Sequence, residues 1–271
     1  MRNSKKITLA ALFGAVAISA SLISPAEAAL PTITPGVLTI GTDDPAYGPW
    51  FDSNTPSNGK GYEAAVAYAV AKQLGYPASK VKWVKASFNS VIQPGKKSFD
   101  FDINQVSITP ERAKVVDFST GYYDVAQAVV TVKGSGIEKV TKVSDLAKVA
   151  LGAQVGTTSL NTINTIIKPR TKASVYDSND LATAALTAGQ IKGLVVDLPT
   201  AFYIAATAKN AALVGQLPAQ AKAEQFGLVL SKGSALTAKV SAAVNALRAN
   251  GTLKALATKW LANVAGAPVL K

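Results

Sequence analysis

The chain has 271 residues, enough to bury one large hydrophobic core or two cores of ordinary size. It contains no cysteine and no histidine, which excludes disulfides, Ser-His and Cys-His nucleophile systems, and zinc sites that use His or Cys ligands. The formal net charge is +12, but the lysines are dispersed with no run longer than Lys96-Lys97. That pattern indicates a solvated basic surface and argues against nucleic-acid binding.

The first 28 residues have the pattern of a secretory signal peptide. A basic start precedes an apolar run over 7–23, and Ala26-Glu27-Ala28 has the small-x-small form of a cleavage site. The alternative is a membrane anchor, but a run of about 17 residues broken by glycine and serine is short for a membrane span. We expect removal of residues 1–28 and a soluble protein in the periplasm, since no cysteine is available for a lipid anchor.

A buried strand is predicted over 36–42, and it runs into the turn-rich segment 43–50. This segment carries two acids, Asp43 and Asp44, and two aromatic residues, Tyr47 and Trp50. Such residues at a strand end suit a pocket wall, although the aromatics could cover a core edge and the acids could form turns. The elements predicted next are a helix over 61–74 that ends at Gly75, a strand over 81–85 and a brief helix over 88–93.

The next strand, predicted over 99–107, leads to the helix-start signal Thr109-Pro110-Glu111. Threonine can accept a backbone hydrogen bond as N-cap, proline suits the first helical position, and glutamate favours the positive helix end. Arg112 therefore lies one turn into a helix, where its guanidinium can grip a carboxylate through two parallel hydrogen bonds. The alternative is a surface arginine paired with a nearby acid.

A second series of strands and helices follows Ser119. Strands are predicted over 126–132 and 149–155 with a short helix over 144–148 between them, and a helix over 160–167 comes next. Gly156-Thr157-Thr158-Ser159 lies at the strand-to-helix junction. Its hydroxyls and free N–H groups can bind an anion, whereas ordinary capping would use only one of the hydroxyls.

Asp197 ends a strand predicted over 193–197. Ligands gather outside the carboxyl ends of strands in open α/β sheets, so Asp197 can meet a cation, or it can cap a helix before Leu198-Pro199. Alternating strands and helices predict α/β sheets with helices on both faces. The remaining predicted elements are a strand over 173–176, a helix over 179–188, a strand over 226–230 and closing helices over 235–249 and 252–261.

These blocks, in this order, resemble the amino-acid-binding branch (family 3) of the periplasmic solute-binding proteins, the receptors of ABC importers. The resemblance covers essentially the whole chain after residue 28. The blocks that carry it are Gly41-Thr-Asp-Asp-Pro-Ala-Tyr-Gly-Pro-Trp50, Gly61-Tyr-Glu63, the segment from Ser107 to Ser119 with Tyr122, Gly156-Thr-Thr158, Asp197 after its strand, and the closing helices with Lys259-Trp260.

The resemblance implies an α/β, two-lobed periplasmic-binding-protein fold of type II, in which each lobe is a βα sandwich sheet and two crossing hinge strands join the lobes. Lobe one would comprise 29–125 and 227–271, and lobe two 126–226. The implied ligand contacts are Arg112 on the α-carboxylate with help from Thr157 and Thr158, Asp197 on the α-ammonium with Ser107 as a second polar contact, and Tyr47 stacked beside the ligand side chain.

The chain departs from the family pattern at positions that bear on specificity. Asn104 and Gln105 stand where many relatives have small residues, so they either narrow the pocket or hydrogen-bond a polar ligand. Trp50 stands where the family often has phenylalanine. Asp43 and Asp44 leave room for a basic ligand side chain, because relatives that select cationic ligands use an acid in this loop.

The function implied is capture of a free amino acid, polar or basic, and its delivery to the membrane permease of an ABC importer. We expect a monomer with no cofactor, no metal and no nucleic-acid partner. One alternative is a lyase that resembles cyclohexadienyl dehydratase, with Glu63 or the Asp43-Asp44 pair as general acid, although Glu63 is also a plain first-turn acid. Another alternative is a ligand sensor that acts on a separate receptor.

Overall fold

The structure is a computed structural model, and it describes residues 30–221, 223–262 and 266–271. The predicted signal peptide over 1–28 lies outside the described residues. Within these ranges, no helix has the length and apolar character needed to cross a membrane.

The bounds of the regular elements are as follows. The strands are β1 (Leu38–Thr42), β2 (Val81–Lys85), β3 (Phe101–Asp102), β4 (Val116–Phe118), β5 (Tyr123–Val125), β6 (Gln127–Val132), β7 (Leu151–Gln154), β8 (Ser174–Tyr176), β9 (Gly193–Asp197), β10 (Ala211–Gln216), β11 (Glu224–Phe226) and β12 (Val229–Ser231). The α-helices are α1 (Tyr62–Gln73), α2 (Phe88–Val91), α3 (Pro110–Ala113), α4 (Thr158–Thr162), α5 (Asn179–Thr187), α6 (Leu198–Thr207), α7 (Thr237–Ala249) and α8 (Thr252–Trp260).

The first sheet has the strand order β2-β1-β3-β12-β4. β1 is parallel to β2 and β3, while β12 returns from late in the chain and pairs antiparallel with β3 and β4. One hydrophobic core unites β1 with helices α1, α7 and α8. Gly61 permits the entry into α1, since its φ is +98° and a Cβ there would lie 2.3 Å from the carbonyl oxygen of Trp50.

The second sheet has the strand order β10-β6-β9-β7-β8. β7 is parallel to β8 and β9, whereas β6 is antiparallel to β9 and β10. A separate hydrophobic core lies on each face, one with Val129 and Val195, the other with Val130 and Val196. Adjacent residues of one strand thus face opposite cores, as expected for a sheet buried on both sides.

Two strands pass between the sheets. β5 and β11 pair antiparallel, and their register joins Val125 to Glu224 and Tyr123 to Phe226. The expected two-lobed α/β fold of type II is confirmed by this arrangement of two sheets joined by two strands. The lobe boundaries near 125 and 226 stay a prediction.

The last residues depart from the predicted division of the chain. We expected 227–271 in lobe one, but the segment 266–271 packs on the second sheet. Val269 forms a parallel bridge with Gln216, and Leu270 is buried in a core of the second lobe. The backbone N–H of Lys271 also donates to the carbonyl oxygen of Thr141 at 2.8 Å.

Several elements differ from their predicted extent. The strand expected over 99–107 is regular only at β3, and Ser107 forms an isolated bridge to Phe226. The strand expected over 226–230 is divided between β11 and β12, because the chain leaves the hinge pair and enters the first sheet. The helix expected over 160–167 begins earlier as α4 and continues as the π-helical turn Ile163–Ile167.

Candidate functional site

A cavity of about 30 Å³ lies between the two lobes, with room for about two water molecules. Every predicted site residue except Asp44 and Trp50 belongs to its lining. The lining residues are Asp43, Tyr47, Phe88, Asn104, Gln105, Ser107 and Arg112 from the first lobe, with Gln154, Thr157, Thr158, Ser159, Asn179, Val196 and Asp197 from the second.

Arg112 is held in the cleft by the helix that the sequence predicts. Thr109 caps α3 and accepts from the Arg112 backbone N–H at 3.2 Å. The guanidinium is buried, and its Nη1 donates to the carbonyl oxygen of Ser107 at 2.7 Å while Nη2 donates to that of Gly156 at 2.9 Å. It also lies 5.4 Å from the ring centroid of Phe88. Burial lowers the pKa of Arg112. The alternative of an exposed surface ion pair is therefore wrong.

The hydroxyl cluster at the start of α4 has divided roles. Thr157 is the N-cap and accepts from the backbone N–H of Leu160 at 3.1 Å, so one hydroxyl serves ordinary capping. Ser159 donates to Oε1 of Gln127 at 2.7 Å, and Thr158 donates to Glu224 at 2.6 Å. Two of the three hydroxyls thus contact side chains of the cleft, beyond the needs of the helix.

Asp197 lies at the carboxyl end of β9 and faces the cavity. Its Oδ1 accepts from Nε2 of Gln127 at 2.7 Å. Although Asp197 precedes α6 at the N-cap position, its carboxylate makes no capping hydrogen bond to that helix in the described structure. Burial raises the pKa of Asp197 well above its usual range, and the nearby carboxylate of Glu224 raises it further. Such a carboxylate is stabilised by a cation placed against it.

Asn104 and Gln105 line the first lobe's side of the cavity. Asn104 is 5% exposed, and among the described residues its Nδ2 has no hydrogen-bond partner. Gln105 has a φ of 48°, and its backbone N–H donates to Oε1 of Glu63 at 2.8 Å while its Nε2 donates to Oε2. Asn104 thus has an unused donor beside the cavity, whereas the Gln105 amide is held by Glu63.

Glu63 is buried beneath the cavity wall and does not belong to the lining. It accepts from Gln105 and from the hydroxyl of Tyr122. Burial raises the pKa of Glu63 to about 7, although these hydrogen bonds lower it. Burial thus favours the uncharged form of Glu63. Its hydrogen bonds hold Gln105 of the cavity wall in place, and its charge state depends on pH.

Glu63→Gln is expected to flatten the pH dependence of folding stability. With a pKa of about 7 instead of 4.5, the folded protein binds more protons than the unfolded chain between these values, so stability falls as the pH rises through this window. The loss amounts to about 3 kcal/mol. Urea unfolding of both proteins at pH 4.5 and pH 7.5 measures it, with the exposed Glu111→Gln as control. Parallel changes in wild type and Glu63→Gln would contradict the assignment.

Trp50 lies in the core of the first lobe, so its expected place in the pocket wall is wrong. It is 0% exposed and makes edge-to-face contacts with Tyr62, Tyr123 and Phe226. Its indole N–H donates to the hydroxyl of Thr200 on α6 at 3.0 Å. The Trp50 side chain therefore covers the edge of the first lobe's core beside the hinge strands β5 and β11. Its hydrogen bond to Thr200 connects this core to the second lobe.

Asp44 also lies outside the cavity. Its carboxylate pairs with Lys85 and accepts from Nδ2 of Asn54 at 3.1 Å, and the Lys85 hydrogen bond lowers the pKa of this exposed acid. Asp43 instead lines the cavity, where its Oδ2 accepts from the backbone N–H of Phe88 at 3.2 Å. Of the two neighbouring acids, only Asp43 can reach a ligand in the cleft.

The comparison with known proteins decides the family. The model of the bacterial extracellular solute-binding proteins, family 3, matches residues 38–263. The chain belongs to this family. This solute-binding protein is 30% identical over 259 residues to the L-arginine-binding protein of Pseudomonas aeruginosa, covering 92% of this chain and 95% of that protein.

Two further matches of the solute-binding protein differ in the ligand that their names give. It is 30% identical over 243 residues to the L-cystine-binding protein TcyJ of Escherichia coli strain K12, covering 87% of this chain and 85% of that protein. Among solved structures, an ancestral arginine-binding protein bound to arginine matches with a TM-score of 0.68 and 27% identity, over 83% of this chain and 98% of that one.

Sequence reasoning missed several residues of the solute-binding protein's cleft. Phe88, Gln154 and Asn179 line the cavity, and each comes from an element whose position was predicted without a role for that residue. Gln127 and Glu224 connect to the lining through hydrogen bonds. The available signal was their position at the predicted lobe boundaries, since polar residues beside a hinge can face the cleft that it closes.

Proposed function

We propose that this solute-binding protein captures a free amino acid, polar or basic, between its lobes in the periplasm and delivers it to the membrane permease of an ABC importer. The observation that carries the proposal is that Arg112 from the first lobe and Asp197 from the second line one cavity. A guanidinium suits the α-carboxylate of an amino acid and a carboxylate suits its α-ammonium. Burying either ligand charge without a partner would cost several kcal/mol.

The charges around the cavity favour a basic ligand. Arg112 pairs with the ligand's α-carboxylate and Asp197 pairs with its α-ammonium, which leaves Asp43 as a further acid in the lining. A cationic side chain placed against Asp43 would balance it, and the ring of Tyr47 lies in the same wall. The names of the L-arginine-binding relative and of the ancestral arginine-binding structure support this class.

Entry of an amino acid requires the lobes to separate. The cavity has room for only about two water molecules, and Arg112 of lobe one donates across the cleft to the carbonyl oxygen of Gly156 in lobe two. Opening about the hinge pair β5 and β11 would expose both walls, and closure would bury the ligand. A closed form that differs from the open one gives the permease a surface by which to recognise the loaded protein.

The lyase alternative needs a general acid in contact with the substrate. Of the candidates from the sequence, Glu63 is buried behind Gln105 and Asp44 is paired with Lys85 outside the cavity. Asp43 remains in the lining. The names of the curated relatives describe binding proteins, and we therefore favour capture and delivery over catalysis.

Isothermal titration of ligand-stripped protein against the twenty amino acids tests the proposal. We expect at least one polar or basic amino acid to bind at micromolar affinity or tighter, and L-arginine to bind more tightly than its neutral isostere L-citrulline. Asp43→Asn should reduce that preference about tenfold, which corresponds to ~1.4 kcal/mol. Asp44→Asn is the matched control and should leave it unchanged. No binding across the set would refute the proposed function.

A further inference from the structure

Glu224, on the hinge strand β11, joins both lobes at the cavity without lining it. Its Oε1 accepts from the hydroxyl of Ser107 in the first lobe and from that of Thr158 in the second, at 2.6 Å for Thr158. Its Oε2 accepts from Nε2 of Gln127 at 3.1 Å, and the same nitrogen donates to Asp197. One carboxylate therefore organises three polar side chains beside the ligand site.

The hydrogen-bond inventory fixes what the two hydroxyls can offer a ligand. A serine or threonine hydroxyl has one proton and two lone pairs. The hydroxyls of Ser107 and Thr158 both donate to Oε1 of Glu224, so each has its single proton committed there. What remains for the cavity is the lone pairs of two oxygens that lie 3.4 Å apart, although the Thr158 oxygen also accepts from Nε2 of Gln127 at 3.5 Å. Such a pair can accept from an ammonium group but cannot donate to a carboxylate.

The other polar groups also separate an end of the cavity that accepts hydrogen bonds from an end that donates them. Asp197 lies next to the hydroxyl pair, since Gln127 connects it to Glu224. The Thr157 hydroxyl donates to the carbonyl oxygen of Gln154 at 2.7 Å, so its proton is also committed within the protein. Donors for a ligand carboxylate then come from the guanidinium of Arg112, from backbone N–H groups and from the side-chain amides of the lining, such as that of Asn104.

We propose that Glu224 is a specificity-determining positioning residue, which makes the Ser107 and Thr158 hydroxyls acceptors and so dedicates their end of the cavity to the ligand's α-ammonium. The inference rests on the proposed function and deepens it. It assigns Thr158 to the ammonium, whereas the family resemblance placed Thr158 with the α-carboxylate. Glutamine at position 224 has the same shape but can donate as well as accept, so it no longer fixes the direction of either hydroxyl.

The test compares ligands with and without the α-ammonium. The probes are L-arginine with 5-guanidinopentanoate, and L-glutamine with glutaramate; each second compound keeps the carboxylate and lacks only the α-amine. In the wild type we expect a large preference for the amino acid of each pair. Glu224→Gln should reduce that preference tenfold or more. Gln225→Ala is the control on the same strand, since its amide donates to Asp124 at 2.6 Å outside the cavity lining, and it should leave the preference unchanged.

A second variant keeps the test decisive if Glu224→Gln folds poorly. Thr158→Val removes one of the two acceptors and should by itself lower the preference for the amine-bearing ligand. In the double variant, the added effect of Glu224→Gln should be smaller than in the wild type, because the Thr158 hydroxyl is already gone and only that of Ser107 remains for Glu224→Gln to affect. If the wild type binds the amino acids but either single variant keeps the wild-type preference for the ligand with the α-amine, the inference about Glu224 is overturned. The proposed function is not affected by that result. If the wild type binds neither L-arginine nor L-glutamine, the amino acid found by titration of all twenty is compared with its own analogue that lacks the α-amine; no binding by any of the twenty refutes the proposed function instead.

Discussion

Arg112→Lys is expected to weaken amino-acid binding a hundredfold or more. Lysine keeps the positive charge but has no planar fork, so it cannot present two parallel N–H groups to a carboxylate. The arginine also donates to the carbonyl oxygens of Ser107 and Gly156, which holds its guanidinium in the cleft between the lobes. A hundredfold loss is ~2.7 kcal/mol, within the range found when one partner of a buried charge pair is altered.

The same substitution should also lower the stability of the ligand-free protein, by an amount that can be measured separately from binding. Arg112 is 8% exposed, and the hydrogen bonds of its guanidinium to two carbonyl oxygens hold together segments of both lobes. Loss of one such bond is worth about 1.5–3 kcal/mol, and 1 kcal/mol shifts the Tm of a domain of this size by about 2–4 °C.

Titration calorimetry well below the Tm of the variant separates binding from unfolding. The exposed Arg170→Lys is the matched control, and it should leave both the Kd and the Tm unchanged. If Arg112→Lys retained wild-type affinity, its role as the carboxylate receptor would be refuted. If it lost binding only together with its folded circular dichroism spectrum, Arg112 would be a structural residue.

The part of the site that the sequence predicts is the part encoded by neighbouring residues. Thr109-Pro110-Glu111 specifies a helix start within four residues of Arg112, and the structure has α3 there with Thr109 as its cap. Asp197 likewise ends a strand whose bounds are those predicted. Because the carboxyl ends of the parallel strands face the cleft, local signals were sufficient to bring Arg112 and Asp197 to one cavity.

The part that the sequence does not reveal depends on contacts between distant segments. Glu224 lies 117 positions from Ser107 and 66 from Thr158, and only the fold brings their side chains together. A lone glutamate in a polar stretch between two strands has no local signature that distinguishes it from a solvated surface residue. Its role follows from the register of β11 against β5, which the hydrophobic pattern of so short a strand does not fix.

Trp50 illustrates the same limit for an aromatic side chain. Its position in a turn-rich loop permits either a pocket wall or a core edge, and no local signal decides between them. The partner of its indole N–H, Thr200, is 150 residues away on α6. Three aromatic neighbours around it and one buried acceptor favour the core, because an indole gains more from full burial with its N–H paired than from partial exposure.

Asp197→Asn is expected to weaken amino-acid binding about a hundredfold while stabilising the ligand-free protein. The asparagine can still accept from Gln127, but it has no charge for the α-ammonium, and the lost charge pair is worth ~2.7 kcal/mol. In the ligand-free protein, burial and Glu224 raise the pKa of Asp197, so ionising this carboxyl at neutral pH costs folding free energy. Asparagine removes that cost.

Folding stability and ligand affinity should depend on pH with opposite signs, and this distinguishes a ligand-binding Asp197 from a purely structural one. Because the pKa of Asp197 is raised in the folded, ligand-free protein, its contribution favours folding at low pH and is lost as the pH rises. An ammonium placed against it favours the charged form, so binding releases a proton and the wild-type affinity should increase with pH until Asp197 is ionised. In Asp197→Asn the pH dependences of stability and of affinity should both be weaker.

Calorimetric titration in buffers of different ionisation enthalpy measures the released proton directly. An unchanged proton release in the variant would show that Asp197 does not meet the ammonium.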